Sequence, residues 1–120
     1  MKSNYKKEFP KKERIHNSSK LIEQNKGQVP VICEKDPNSK MKAIYKTKYL
    51  VKRELTVDKF IAVIRNKLEL EINDALFMFV YNKEGKTALI TSMNFGDLYD
   101  KYKDDDGFLY LIYSSEKIWG

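Results

Sequence analysis

Val57, Phe60, Ile61, Ile64 and Leu68 recur at i, i+3, i+4, i+7 and i+11, so all five share one face of a helix. No other stretch of the chain has so clean an apolar face, and that face has to be covered. Thr56 suits the N-cap, and Leu55 with Phe60 has the spacing of a hydrophobic staple, which fixes where the helix starts. What precedes and follows it alternates with a different period. Val29-Pro-Val-Ile-Cys33 is β-branched and reads as a strand. Lys48-Tyr-Leu-Val-Lys-Arg53 is a second, with Leu50 on one face and Tyr49 and Val51 on the other, so that both sides want cover. Glu34 to Lys42 contains Asp-Pro-Asn-Ser and joins the two as a loop.

Downstream, Phe77–Tyr81 reads as a third strand, Asn82–Lys86 as a turn and Thr87–Ile90 as a short fourth strand. Phe95, Leu98, Tyr99 and Tyr102 have helical spacing, and Asp104-Asp-Asp-Gly107 turns the chain into a last strand over 108–113. Upstream, 3–9 and 11–25 read as two helices separated by Pro10, the second with a thin apolar stripe of Ile15, Leu21 and Ile22 and with Gly27 past its end. These two are too polar to form a core and are expected to pack as an accessory layer. The order helix, helix, β-β-α-β-β-α-β predicts an α+β fold, a ubiquitin-like β-grasp with two additional N-terminal helices. One structural domain is expected, with residues 1–27 as a helical extension and 28–120 as the core and its C-terminal tail.

Charge is uneven. Of 23 Lys and Arg and 17 Asp and Glu, residues 1–26 hold eight basic and three acidic, so the net charge of +6 is largely an N-terminal property. Such a segment can meet acidic proteins, anionic lipid or nucleic acid, or be a solvated helical face. Cys33 is the single cysteine, which excludes an intramolecular disulfide and fits a reducing compartment. Residues 1–20 lack the apolar core of a signal peptide, and the longest apolar runs, Ala75–Tyr81 and Phe108–Tyr113, fall well short of the ~20 residues of a spanning helix. A cytoplasmic protein, monomeric in solution, is expected, with any membrane attachment peripheral or covalent.

Catalytic chemistry is not visible. His16 is the lone histidine and sits on a polar helix; there is no Cys/His zinc cluster, phosphate loop or nucleophile elbow. Asp104–Asp106 reads as an acidic turn rather than a calcium loop, and Cys33 as a packing thiol. Three aspartates ahead of the aromatic strand 108–113 would repel phosphate, which argues against nucleic acid as a partner. No enzyme, metal or cofactor is expected. The terminal Gly120 is the one reactive feature: its carboxylate has no side chain beside it and can enter a narrow enzyme channel.

Val29-Pro-Val-Ile-Cys-Glu-Lys35 resembles the first-strand signature of the autophagy-related protein 8 family. Lys48-Tyr-Leu-Val51 is similar to its second strand, Leu55-Thr-Val with Phe60 to Arg65 to its central helix, and Phe95-Gly-Asp-Leu-Tyr99 to its short helix. Asp106-Gly-Phe-Leu-Tyr110, Tyr113-Ser114 and the aromatic-Gly end complete a pattern running along the whole chain. The resemblance implies a ubiquitin-like modifier that is adenylated at Gly120, carried through thioesters on activating and conjugating enzymes, and joined to phosphatidylethanolamine on autophagosome membranes. Trp119 would be read by those enzymes and by a processing and deconjugating cysteine protease.

It also implies a docking site for cargo receptors that carry an aromatic-x-x-aliphatic motif with acidic flanks. The aromatic pocket would use Leu21, Pro30, Ile32, Lys48, Leu50 and Phe108. The aliphatic pocket would use Tyr49, Val51, Leu55, Phe60 and Val63, and Lys46 with Lys48 would meet the acidic flank. An exposed edge on strand 48–53 would align the peptide by β-augmentation. Asn17, Gln28, Lys52 and Trp119 depart from the family pattern; Gln28 in place of an arginine predicts a weaker preference for acidic flanks. The alternative is a non-conjugated trafficking or microtubule-associated module that works through the basic N-terminal helices, with Lys6, Lys7, Lys11 and Lys12 in contact.

Overall fold

The central amphipathic helix forms as α3, Val57–Lys67, in a computed structural model that describes residues 3–116. Before it come α1 (Asn4–Glu8), α2 (Lys11–Gln24), β1 (Gln28–Lys35) and β2 (Lys48–Lys52). After it come β3 (Phe77–Asn82), β4 (Gly85–Ala88), α4 (Phe95–Tyr102) and β5 (Leu109–Ser114). The five strands make one mixed sheet in the order β2-β1-β5-β3-β4. β1 runs parallel to β5 and antiparallel to β2, and β3 runs antiparallel to β5 and β4. β1 and β5 lie inside the sheet, and every residue of β5 is buried. That is why both read as near-continuous apolar runs rather than as alternating patterns.

Alternation sorts the side chains into two layers. Val29, Val31, Cys33, Tyr49, Val51, Val80, Leu109, Leu111 and Tyr113 face α3 and α4 and pack with Val57, Phe60, Ile64, Phe95 and Leu98. The opposite face carries Ile32, Phe108 and Tyr110, covered by Tyr5, Phe9 and Leu21 of the N-terminal segment. The accessory layer expected from the sequence therefore packs on the sheet face that α3 leaves open.

Its packing is not the expected one. Ile15 and Ile22 are 41% and 39% exposed, and α2 instead buries Arg14 and Ser18 beside the half-buried Leu21. Those polar residues meet the 104–107 turn. Arg14 Nε donates to Asp106 Oδ2 at 2.8 Å and its Nη1 to the Phe9 carbonyl at 2.6 Å, while Ser18 Oγ donates to the Asp106 carbonyl at 2.6 Å. Asp106 also accepts from the Tyr110 hydroxyl and from the Phe108 N–H. Burial, with the Asp106 carboxylate beside it, pushes the Tyr110 phenol upward. Gly107 closes the turn at φ +90°, and a β-carbon there would lie 2.4 Å from Ser18 Oγ. The acidic turn is thus a clamp for α2.

Two further differences follow, one local and one non-local. β4 begins two residues before the expected Thr87, because the β3–β4 hairpin turns tightly through Lys83 and Glu84 with Asn82 opposite Gly85. Thr56 occupies the N-cap of α3, but its hydroxyl goes to Asp58. The first helical N–H groups of Val57 and Asp58 are taken by the carbonyls of Met93 and Thr91, at 2.9 and 3.0 Å. The segment after β4 therefore caps α3 from outside.

Candidate functional site: an open sheet edge with apolar side chains on each face

β2 is an edge strand, hydrogen-bonded to β1 alone among the described residues. Cys33 N–H bonds the Thr47 carbonyl at 2.8 Å, and Arg53 N–H bonds the Gly27 carbonyl at 3.0 Å. With the register Ile32↔Lys48 and Pro30↔Leu50, these bonds put Tyr49 and Val51 in the inward hydrogen-bonded positions. Lys48 and Leu50 aim their N–H and C=O groups away from the sheet. Pro30 has no N–H to give and sits opposite Leu50, in a pair that needs none, so it costs the ladder nothing.

The edge divides the expected site residues between the two faces. On the N-terminal side lie Leu21, Pro30, Ile32, Lys48, Leu50 and Phe108. Phe108 and Ile32 are fully buried with the half-buried Leu21 packed against them, Leu50 is half-buried, and Lys48 is exposed. On the α3 side lie Tyr49, Val51, Leu55, Phe60 and Val63. Tyr49, Val51 and Phe60 belong to the main core, Leu55 is half-buried, and Val63 is 44% exposed on α3. Tyr49 and Phe60 meet edge to face at 5.6 Å. The Tyr49 hydroxyl donates to the Lys46 carbonyl at 2.6 Å, and burial pushes its phenol up to about 12, so it stays a neutral donor. Lys46 is exposed, with its ammonium 5.1 Å from the centre of the Tyr49 ring. Trp119 and Gly120, the expected conjugation residues, lie outside the described residues.

An extended strand laid along β2 alternates its side chains between the two faces. Residues i and i+3 differ by an odd number and point to opposite faces. An aromatic-x-x-aliphatic spacing therefore fits an edge with apolar ground on both sides. Sequence reasoning missed how the approach to β2 is held. The Tyr113 hydroxyl accepts from the Ile44 N–H at 2.8 Å and donates to the Lys42 carbonyl at 2.9 Å, pinning the loop ahead of Lys46. Nothing in the local sequence signals a partner 69 residues away. Cys33 is fully buried in the core and its thiol is pushed upward by that burial, which leaves it an inert packing residue.

The fold is that of a ubiquitin-like protein, and comparison with known proteins places it more narrowly. The family described as "Autophagy protein Atg8 ubiquitin like" matches residues 13–120. Autophagy-related protein 8 of Lodderomyces elongisporus is 42% identical over 120 residues, covering all of this chain and 80% of that protein. The protein of the same name in Saccharomyces cerevisiae is 41% identical and is covered to 99%. The crystal structure of Trypanosoma brucei ATG8 superposes with a TM-score of 0.88 at 38% identity, with both chains covered in full. The chain belongs to the Atg8 family of ubiquitin-like autophagy proteins, and this membership supports a role in autophagy.

Proposed function

We propose that this chain is a ubiquitin-like modifier, itself without catalytic activity, coupled through Gly120 to phosphatidylethanolamine, and that its β2 edge binds aromatic-x-x-aliphatic segments of cargo receptors. The observation that carries the docking half is the unpaired β2 edge with apolar ground on both faces. Family membership supports the coupling half. In this reading activating and conjugating enzymes and a deconjugating cysteine protease handle Trp119 and Gly120. The protein is cytoplasmic and monomeric until lipid brings it to the autophagosome membrane. Residues 1–27 and 28–120 act as one structural domain, because Arg14 and Ser18 tie the extension to the core.

The aromatic side chain enters over Leu21, Pro30 and Leu50, with Ile32 and Phe108 beneath. The aliphatic one enters beside Leu55 and Val63, over Tyr49, Val51 and Phe60. Lys46 and Lys48 face the acidic flank. Burying ~150–250 Å² of aromatic surface yields roughly 4–6 kcal/mol gross. Ordering the peptide offsets much of that, leaving an affinity on the order of micromolar. The coupling half is tested with activating and conjugating enzymes, ATP and phosphatidylethanolamine liposomes. The mass should rise by one lipid, and deletion of Gly120 should abolish the rise. A rise that survives the deletion would sink the assignment.

A further inference from the structure

Between the loop that leads into β2 and the end of α3 lies a basic cleft whose lining, among the described residues, holds no acid. Lys42, Tyr45, Lys46, Lys67 and Leu68 are among its walls, around about 540 Å³ of open space. All three lysines are exposed, and among the described residues none has a carboxylate within ion-pair distance. Lys46 and Lys67 bring their ammonium groups to 5.1 and 5.8 Å from the centre of one ring, that of Tyr49. Like charges converging on one spot repel, and an anion seated among them relieves this.

Tyr45 stands fully exposed on this loop. Its position is imposed: the Tyr113 hydroxyl holds Lys42 and Ile44, and Ile44 is buried. An aromatic body with a polar tip, raised clear of the surface among lysines, suits the headgroup layer of a bilayer. A neighbouring cleft shares Lys42 and Leu68 and is also lined by Leu70, Asp74 and Ser115, so the acid-free part of this surface is the Lys46–Lys67 side. Gly120 follows Ser115 by five residues, at most roughly 16–18 Å of extended chain.

We propose that this cleft contacts anionic phospholipid, with Lys42, Lys46 and Lys67 meeting headgroup charge and Tyr45 entering the interface. The inference deepens the lipid-coupling reading and rests on it only for orientation: a lipid on Gly120 would hold the cleft against the same bilayer. An acidic protein segment could also meet the lysines, but it leaves the raised ring of Tyr45 without a partner.

The test uses the unconjugated full chain, floated with vesicles of phosphatidylcholine alone and of phosphatidylcholine with phosphatidylserine. The chain should bind the second kind alone, and high salt should release it. Lys42→Glu should weaken partition by about tenfold or more, since each lysine near such a surface accounts for about fivefold. Tyr45→Ala should weaken it severalfold with the salt dependence kept. Both variants should retain full affinity for an aromatic-x-x-aliphatic peptide, which shows that they are folded. Absence of binding to phosphatidylserine vesicles, or unchanged partition of both folded variants, would overturn the proposal. So would Lys42-dependent binding of a polyglutamate peptide without vesicle binding. Vesicle binding that persists while the enzymatic coupling of Gly120 fails would instead remove the coupling reading and leave this contact standing.

Discussion

Two sets of basic residues in this protein are placed in opposite ways, one against the acidic turn and one along an open strand. In the N-terminal helices Lys6 lies 2.6 Å from Asp104, and Arg14 lies 2.8 Å from Asp106 with both side chains nearly closed to solvent. Lys11 reaches Asp105 at 4.0 Å on the surface. Along the approach to β2, Lys42, Lys46 and Lys48 are exposed and have no carboxylate partner among the described residues. Basic residues that meet a fitted acid hold the molecule together. Those left unpaired beside an open strand edge are available to something outside it. Of the four lysines in the reading that recruits a partner through the N-terminal helices, Asp104 already holds Lys6, while Lys7 and Lys12 are exposed with no carboxylate partner among the described residues and Lys11 makes only a 4.0 Å surface contact, so the difference weighs against Lys6 alone.

The sharpest way to break this contrast is at Asp106. Asp106→Ala removes the acceptor of Arg14, Tyr110 and the Phe108 N–H, and an uncompensated buried charge of this kind costs about 3–5 kcal/mol. Urea unfolding should show the loss, with peptide affinity changed less than stability. Gly107→Ala attacks the same clamp by sterics, through the 2.4 Å approach to Ser18 Oγ and the φ of +90°, and should cost roughly 1–3 kcal/mol. On the unpaired side, Leu50→Ala and Lys48→Ala should leave stability nearly unchanged and weaken an aromatic-x-x-aliphatic peptide by about 1–3 kcal/mol in a calorimetric titration. A large stability loss there would make Leu50 a core residue and blur the contrast.

The smallest expected effect is one of pH. Burial alone would raise the Asp104 carboxyl, but the hydrogen bonds from Lys6 and from the Asp106 N–H outweigh it, and the group lies below its usual range. A depressed carboxyl stabilises the fold above its unfolded value of about 3.9 and loses that contribution as pH falls through the folded value. Stability should therefore drop as pH falls below about 4, and Lys6→Met should make that drop shallower.

What could be read from the sequence follows the range of the interaction. Val57, Phe60, Ile64 and Leu68 announce their helix face by spacing, and all four are buried. β1, β2 and β5 show through their β-branched and aromatic runs. The α2 face does not, because its anchors are Arg14 and Ser18, which look like surface residues until Asp106 is brought beside them from 92 and 88 positions away. The outside cap on α3, supplied by Met93 and Thr91, is hidden for the same reason. At the site, periodicity assigned Leu50 and Tyr49 to opposite faces. Which of the two layers covers each of these faces follows only from α2 and α3 lying on opposite sides of the sheet. The pinned loop that raises Tyr45 left no local trace at all.

Hydrogen exchange at β2 tests the central claim most directly. In the free protein the amides of Lys48 and Leu50 should exchange fast while those of Tyr49 and Val51 are protected, and a saturating aromatic-x-x-aliphatic peptide should slow exchange at Lys48 and Leu50. Protection gained at β4 instead, or at neither edge, would contradict the account.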